Sequence, residues 1–227
     1  MIIAGAVGSR PLSYLQSLTK DLLDEQRIYG AGSQAIISVA NAALGVGHTP
    51  RGEPNLARIG DWLVVADARL DNRDELKERV GETAGRTDAE LLLNLWMREG
   101  ERSLGWIAGD FALAIFDPRD RSLSLARDVT GQRPLFYAQT DFGLAFASMP
   151  AALSPAFSNV SVDRRSLALL ALDSPVDCGR SFFDGVGSVG QAQVVRFSSN
   201  GHLSRNSYWK APPTPPDRGD RRTLIEE

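Results

Sequence analysis

Cysteine and histidine are nearly absent from this sequence of 227 residues, which contains one cysteine, Cys178, and two histidines, His48 and His202. A single cysteine excludes an internal disulfide framework and is typical of proteins in a reducing compartment. So few cysteines and histidines also argue against a metal site built from those ligands. We therefore expect a cytoplasmic chain that binds no metal.

The sequence also lacks an excess of positive charge and any long hydrophobic run. Its formal net charge is -3, which gives no basic field for nucleic acid or an anionic membrane. No apolar run approaches the roughly 20 residues that span a bilayer, and no basic region precedes the apolar start Ile2–Val7, as it would in a signal peptide. We expect neither nucleic acid nor a membrane as a partner.

Short apolar runs, typical of strands, are spread over the whole chain. The run Phe111–Phe116 is apolar on both faces, which predicts a strand covered on both sides. The following Asp117–Asp120 (Asp-Pro-Arg-Asp) predicts a hairpin turn. The predicted strands are Ile2–Val7, Ala35–Ala40, Trp62–Ala66, Asp110–Phe116, Ser122–Ala126, Leu135–Ala138, Leu144–Ala147 and Gln193–Phe197.

Three segments have the pattern of helices. Pro11 suits the first turn of a helix with leucines on one stripe. A second helix is expected from Thr87, with Glu90 completing a capping box, and a third over Arg164–Leu172. Strands and helices without strict alternation predict a layered α/β fold with mainly antiparallel sheets.

Several candidate motifs predict structure rather than chemistry. Gly185–Gly190 matches G-x-G-x-x-G, but a strand-like segment follows it where a dinucleotide site needs a helix. No phosphate-binding loop or G-x-S-x-G elbow is present. His48 and His202 have no credible nucleophile beside them in sequence, and Asp177 opposes activation of the neighbouring Cys178.

Two stretches resemble a known family. Residues Ala66–Leu76 resemble the Asn-Gly-Glu-Ile-Tyr-Asn-x-x-Glu-Leu segment of class II glutamine amidotransferase domains. Residues Gly109–Asp117 and Ala126–Tyr137 are similar to the Gly-x-Phe-Ala strand and the Arg-Asp-x-x-Gly-x-x-Pro-Leu-Tyr motif of asparagine synthetases. The resemblance covers about residues 1–210 and implies a four-layer αββα sandwich of the N-terminal-nucleophile hydrolase type, with two mainly antiparallel sheets.

The sequence departs from the family at the expected active site. The resemblance implies a cysteine directly after the initiator methionine, where this chain has Ile2. The Asn-Gly pair that would bind the oxyanion is replaced by Asp67-Ala68, and an ionised Asp67 would repel a developing oxyanion. The family's His-Arg-Gly-Pro-Asp turn is missing, since Tyr29–Ser33 stands roughly there, and its glutamine-contacting arginine, expected around Gly47–Arg51, has no counterpart. No catalytic residue is therefore expected, and glutamine hydrolysis is expected to be lost.

Other family positions are retained. Asp88 matches the aspartate that holds the amino group of glutamine, although an acidic residue in the first turn of a helix also complements the helix dipole. With Asp67 and Ala68 it would form a vestigial glutamine pocket. Arg127, Asp128, Gly131 and Pro134 match the second motif, to which we assign a structural role: an Arg127–Asp128 pair and a turn at Gly131.

The C-terminal residues predict a connection to another domain. Residues 211–222 form a proline-rich linker, and residues 223–227, beginning at Thr223, have the pattern of a capping box that opens a helix. We interpret 1–210 as the glutaminase-like domain and 223–227 as the start of a synthetase domain. That domain would bind ATP and Mg²⁺, whereas none is expected in this chain, which lacks the family's Ser-Gly-Gly-x-Asp-Ser loop.

The resemblance implies a pseudo-glutaminase of an ATP-dependent amide ligase, as in lasso-peptide macrolactam synthetases or β-lactam synthetases. We favour the lasso-peptide type, in which the domain would contact its own synthetase domain and hold a peptide substrate. One alternative is a free-standing binding module that uses the vestigial pocket. The other is an enzyme with a different nucleophile, such as Ser9 or Cys178.

Overall fold

A computed structural model describes residues 1–29, 32–50, 52–81, 85–157, 161–174 and 179–212. The described residues form twelve strands, four α-helices and three short 3-10 helices. The strands are β1 (Ile2–Gly8), β2 (Ser33–Val39), β3 (Ala42–His48), β4 (Leu56–Ile59), β5 (Trp62–Leu70), β6 (Gly109–Asp117), β7 (Ser122–Arg127), β8 (Phe136–Gln139), β9 (Gly143–Ala147), β10 (Val186–Ser188), β11 (Gln193–Phe197) and β12 (Leu203–Ser207). The α-helices are α1 (Leu12–Asp24), α2 (Arg73–Val80), α3 (Asp88–Glu99) and α4 (Arg164–Ala171), and the 3-10 helices are Arg27–Tyr29, Gly100–Trp106 and Pro150–Ala156.

The strands form two six-stranded sheets in which every ladder is antiparallel. The first sheet has the order β10-β8-β9-β1-β3-β2, and the second has the order β12-β11-β7-β6-β5-β4. In the first sheet β1 is central, with Ala4 opposite Gly45 on one side and Ala147 on the other. In the second sheet β6 lies between β5 and β7.

Three hydrophobic layers hold the sheets and helices together. The layer between the sheets includes Ile3, Leu44, Val65 and Phe146. A second layer packs α1 against the outer face of the first sheet, and a third packs α3 against the outer face of the second. The architecture is therefore the expected four-layer αββα sandwich of the N-terminal-nucleophile hydrolase type.

Strand β6 accounts for much of this layering. Phe111, Leu113 and Ile115 face α3, whereas Ala112 and Ala114 lie in the layer between the sheets. Side chains alternate along a strand, so one run of apolar residues contributes to two layers. The prediction of a strand covered on both faces is confirmed, and Asp117 and Ser122 close the predicted hairpin.

All eight predicted strands and three predicted helices form. Pro11 precedes α1 as its N-cap, and Thr87 caps α3 by accepting a hydrogen bond from the Glu90 backbone N–H. The G-x-G-x-x-G segment forms a turn and β10, and the next element is the strand β11. Cys178 and residues 213–227 lie outside the described residues. Within the described ranges, no helix has the length and apolarity to cross a bilayer.

Candidate functional site

The side chain of Ile2, at the position expected for the nucleophile, faces away from the expected site. Ile2 begins β1, is 3% exposed and lies with Ala4 and Ala6 in the layer under α1. The neighbouring Ile3 lies in the layer between the sheets. Because side chains alternate along β1, the side chain of Ile2 points away from the inter-sheet layer.

Asp67, on β5, carries a buried carboxylate. Leu63 and Val65, at alternate positions on the same strand, lie in the inter-sheet layer, so Asp67 is directed to that side. Its side chain is only 9% exposed. Asp67 Oδ1 lies 3.5 Å from Arg133 Nη1 and 4.0 Å from the Met1 amino nitrogen. A buried carboxylate with two cationic neighbours therefore occupies the position at which the family resemblance implies hydrogen-bond donors to an oxyanion.

Burial raises the pKa of the Asp67 carboxyl above its ordinary value, although the Met1 amino group and Arg133 act in the opposite direction. A raised pKa means that the folded state binds a proton here more readily than the unfolded chain. The ionised carboxylate consequently reduces stability at pH values above the ordinary pKa of about 3.9.

We expect Asp67→Asn to increase the free energy of unfolding at pH 7, because the amide removes the buried charge. The gain should disappear below about pH 4, where an unfolded aspartate is itself protonated. Urea unfolding of both proteins at pH 4 and pH 7 measures the difference. Asp74→Asn is the matched control, since that side chain is 97% exposed. Lower stability of Asp67→Asn at pH 7 would show that the pairing with Arg133 outweighs burial.

Asp88 forms an ion pair within the domain. It is the first residue of α3, and its Oδ1 lies 2.5 Å from Arg73 Nε. Arg73, at the start of α2, also donates to the Arg86 carbonyl oxygen at 2.9 Å. These contacts join α2 to the N-terminus of α3. Ala68 lies next to Asp67 on β5, half-buried on the α3 side.

Asp128 organises the loop between β7 and β8. The residue is fully buried and its carboxylate accepts hydrogen bonds from the backbone N–H groups of Phe111, Thr130, Gln132 and Arg133 and from the Thr130 hydroxyl. Burial alone would raise the pKa of the Asp128 carboxyl, but these donors together hold it below its ordinary value. The loop is built around this ionised group.

Arg127 holds the same loop from the other side. Its guanidinium donates to the carbonyl oxygens of Gly131, Arg133 and Val189. Gly131 has φ 67°, a left-handed conformation that favours glycine, and its N–H donates to the Asp128 carbonyl. Pro134 then leads into β8. The Arg127 and Asp128 side chains thus connect the second sheet to the first through contacts with main-chain groups.

The sequence did not identify two of the residues at this site. Arg133 occupies a variable position of the second motif and Arg73 a variable position of the first, so neither motif assigned them a role. Arg133 is positioned because its backbone N–H bonds to Asp128. Its Nε is buried without a hydrogen-bond partner among the described residues.

The sequence profile of the glutamine amidotransferase domain matches residues 24–209. The chain belongs to this family. Among curated relatives, this amidotransferase domain is 30% identical over 141 residues to asparagine synthetase [glutamine-hydrolyzing] 3 of Bacillus subtilis, covering 61% of the chain and 23% of the relative. It is 36% identical over 109 residues to a putative asparagine synthetase [glutamine-hydrolyzing] 1 of Methanocaldococcus jannaschii, covering 47% and 19%. The domain is thus of the asparagine-synthetase type, and its matched region spans less than a quarter of either relative.

Solved structures share the fold of the amidotransferase domain. Glutamine phosphoribosylpyrophosphate amidotransferase of B. subtilis, complexed with ADP and GMP, superposes with a TM-score of 0.67 at 15% identity. The match covers 93% of this domain and 50% of that chain. A second structure, an allosteric regulatory enzyme of purine biosynthesis, gives a TM-score of 0.66 at 14% identity with the same coverage.

Proposed function

We propose that this amidotransferase domain is a pseudo-glutaminase: it keeps the fold of its family and does not hydrolyse glutamine. The observation that supports this most directly is Asp67, a buried carboxylate paired with Arg133 at the expected oxyanion position. Family chemistry there needs neutral hydrogen-bond donors, each worth about 3 kcal/mol of transition-state stabilisation. A carboxylate at that position would repel the developing oxyanion and destabilise the transition state.

The start of β1 supports the same proposal. Ile2 has no thiol or hydroxyl with which to attack an amide. Its side chain is also buried under α1, on the face of the first sheet opposite to the inter-sheet layer. Replacing the side chain alone would therefore not place a nucleophile beside Asp67.

We further propose that the domain serves an ATP-dependent amide ligase of the asparagine-synthetase type, with a lasso-peptide macrolactam synthetase as the favoured case. An intramolecular amine in such a substrate would make ammonia from glutamine unnecessary. ATP and Mg²⁺ would bind in a separate synthetase domain joined through residues 211–222, because the 227 residues contain no Ser-Gly-Gly-x-Asp-Ser loop. Its partners would be that domain and a peptide substrate.

The experiment is a glutaminase assay that measures glutamate and ammonia release from glutamine. We expect no release above the uncatalysed rate from the native chain or from Ile2→Cys, because the second residue faces α1 and Asp67 remains. Intact mass spectrometry must show that Met1 has been removed from the variant. An active asparagine synthetase provides the positive control.

Turnover by the native chain would contradict the loss of activity. Turnover by Ile2→Cys alone would show that the pocket is intact apart from its nucleophile. The ligase part of the proposal has its own test, which is pyrophosphate exchange into ATP by the protein with its reading frame extended beyond Glu227. Absence of exchange, or of a Ser-Gly-Gly-x-Asp-Ser loop in the extension, would contradict that part.

A further inference from the structure

Strand β12 has one edge without a neighbouring strand. It ends the second sheet and pairs only with β11 among the described residues. Backbone hydrogen bonds alternate along an antiparallel pair, and the bond from the Tyr208 N–H to the Ala192 carbonyl oxygen sets the alternation here. The N–H and C=O groups of Leu203, Arg205 and Ser207 consequently point away from β11. No described residue bonds to them.

The edge of the first sheet on the same side of the sandwich is covered. Strand β10 ends that sheet, and its Gly187 forms an antiparallel bridge with Arg180. The Ser188 backbone N–H also donates to the Gly179 carbonyl oxygen at 3.2 Å. Within the described part of the chain, β12 is therefore the edge on this side that can accept another strand.

A cleft of about 470 Å³ lies between β12 and the end of the first sheet. Its lining includes Leu203 and Arg205 of β12 and Tyr137 of β8. Val195, the residue opposite Arg205 on β11, lies in the inter-sheet layer. Residues directly opposite each other have their side chains on the same face of a sheet, so the Arg205 side chain is directed to the cleft.

The Tyr137 hydroxyl has no hydrogen-bond acceptor among the described residues. Tyr137 is 3% exposed, and its Oη accepts hydrogen bonds from Arg205 Nε at 2.8 Å and from Nη2 at 2.6 Å. Its own hydrogen is donated to no described group, and Arg205 forms no ion pair with a described carboxylate. A buried donor without an acceptor is unfavourable. One anionic oxygen in the cleft would accept from both side chains.

Two carboxylates of the chain line the same cleft, but neither bonds to Arg205. Asp163 Oδ2 accepts from Arg180 Nε at 3.0 Å and from Nη2 at 2.7 Å. Asp184 is exposed, and its Oδ2 accepts from the Ser161 hydroxyl at 2.6 Å. The charge of Asp184 would repel a multiply charged anion such as a phosphate. A single carboxylate is thus the chemical group that fits the cleft.

We propose that β12 binds an extended peptide as an added strand of the second sheet, with an acidic side chain of the peptide in the cleft. A peptide residue opposite Arg205 would exchange both backbone hydrogen bonds with it and direct its side chain to the same face. Its carboxylate would then accept from Arg205 and from the Tyr137 hydroxyl. An inward-pointing charge on an edge strand opposes pairing with neutral strands, so Arg205 favours an acidic peptide.

This inference rests neither on the loss of glutaminase activity nor on the ligase role. Asp67, Ala68 and Asp88, the residues of the vestigial pocket, do not line the cleft. A peptide bound to β12 would leave them uncovered by its acidic side chain. The edge is therefore a separate binding site with its own test.

Amide hydrogen exchange of the full chain, measured by NMR, tests the added strand. The probe is the capped peptide acetyl-Thr-Val-Glu-Val-Thr-amide in large excess. The N–H groups of Leu203, Arg205 and Ser207 should exchange more slowly with the peptide present. Those of Ser204 and Asn206, which face β11, are the internal control and should not change. Unchanged exchange at all three outer N–H groups would overturn the proposal.

The contribution of the carboxylate is measured by titration with the same peptide and its glutamine analogue. The glutamine analogue should bind at least about tenfold more weakly, in line with loss of a charge-assisted hydrogen bond. Tyr137→Phe should weaken binding of the acidic peptide by about tenfold and leave the analogue unaffected. Arg102→Gln is the matched control, since Arg102 is exposed and does not line the cleft.

Ser207→Pro tests the backbone contact separately. It removes an outward N–H and no ladder bond to β11, so the variant should remain folded by circular dichroism and bind both peptides more weakly. Unchanged binding of the acidic peptide by folded Ser207→Pro would contradict an added strand. Sodium acetate that matches the acidic peptide in affinity would show a site for carboxylates alone and would likewise overturn the proposal.

Discussion

Replacement of Asp128 by alanine should destabilise the domain by about 3 to 5 kcal/mol, as expected when a buried hydrogen-bond network is broken. The substitution removes the acceptor for four backbone N–H groups, among them those of Phe111 and Arg133. Asp128 is fully buried, so solvent cannot readily replace the carboxylate. Urea unfolding followed by tryptophan fluorescence measures the change.

The pH dependence separates this role of Asp128 from simple packing. Because its pKa is lowered in the folded state, the stabilisation is present above the ordinary aspartate pKa of about 3.9 and is lost as pH falls below it. The difference between wild type and Asp128→Ala should therefore shrink in acid. Asp141→Ala is the control, since its side chain is 76% exposed and its pair with Arg10 should contribute less than about 1 kcal/mol. An Asp128→Ala loss no larger than that of the control would refute the assignment.

Replacement of Gly109 by alanine should destabilise the domain by more than about 3 kcal/mol, because backbone strain and a steric clash act together. Gly109 begins β6 with φ 138°, and an added Cβ would lie 2.0 Å from the Arg69 carbonyl oxygen on β5. That neighbour is main chain and cannot move without disturbing the strand that carries Asp67. The structure thus explains why a glycine begins the Gly-x-Phe-Ala motif. Differential scanning fluorimetry and urea unfolding measure the loss.

Gly60→Ala isolates the contribution of strain. Gly60 has φ 60°, and an added Cβ would meet no heavy atom within 4 Å. We expect a loss of about 1 to 2 kcal/mol from the left-handed backbone alone. Equal losses at the two positions would mean that the clash with Arg69 is relieved by movement of the strand.

Hydrophobic pattern predicted most of the fold, and the missed elements have specific causes. Strand β3 (Ala42–His48) was missed because its alanines and glycines have low strand propensity, and its burial beside β1 in the first sheet compensates. Helix α2 (Arg73–Val80) was missed because Leu76 is its only buried residue. The edge strands β4, β10 and β12 are short, with four, three and five residues. Their pairing depends on neighbours distant in sequence.

The candidate site was less predictable than the fold. The sequence located Asp67, Ala68 and Asp88 by family resemblance, but the partners of the two carboxylates depend on the fold. Arg133 reaches Asp67 because a loop stabilised by Asp128 brings it there, and Arg73 reaches Asp88 through the packing of α2 on α3. No local pattern specifies contacts of this kind. The orientation of the Ile2 side chain toward α1 likewise depends on how β1 is placed in the first sheet, which no local pattern specifies.

The central position of β1 has a consequence for synthesis on the ribosome. Its neighbour β3 ends at His48, whereas its other neighbour, β9, begins at Gly143. Translation of residues 49–142 takes roughly 5 to 20 s at ordinary elongation rates. During that interval one edge of β1 is unpaired, while β5, β6 and β7 can already pair as antiparallel strands. The nascent chain can therefore pair the central strands of its second sheet before those of its first sheet. Strand β1, which is synthesised first, is the strand with the longest delay before its second neighbour is available.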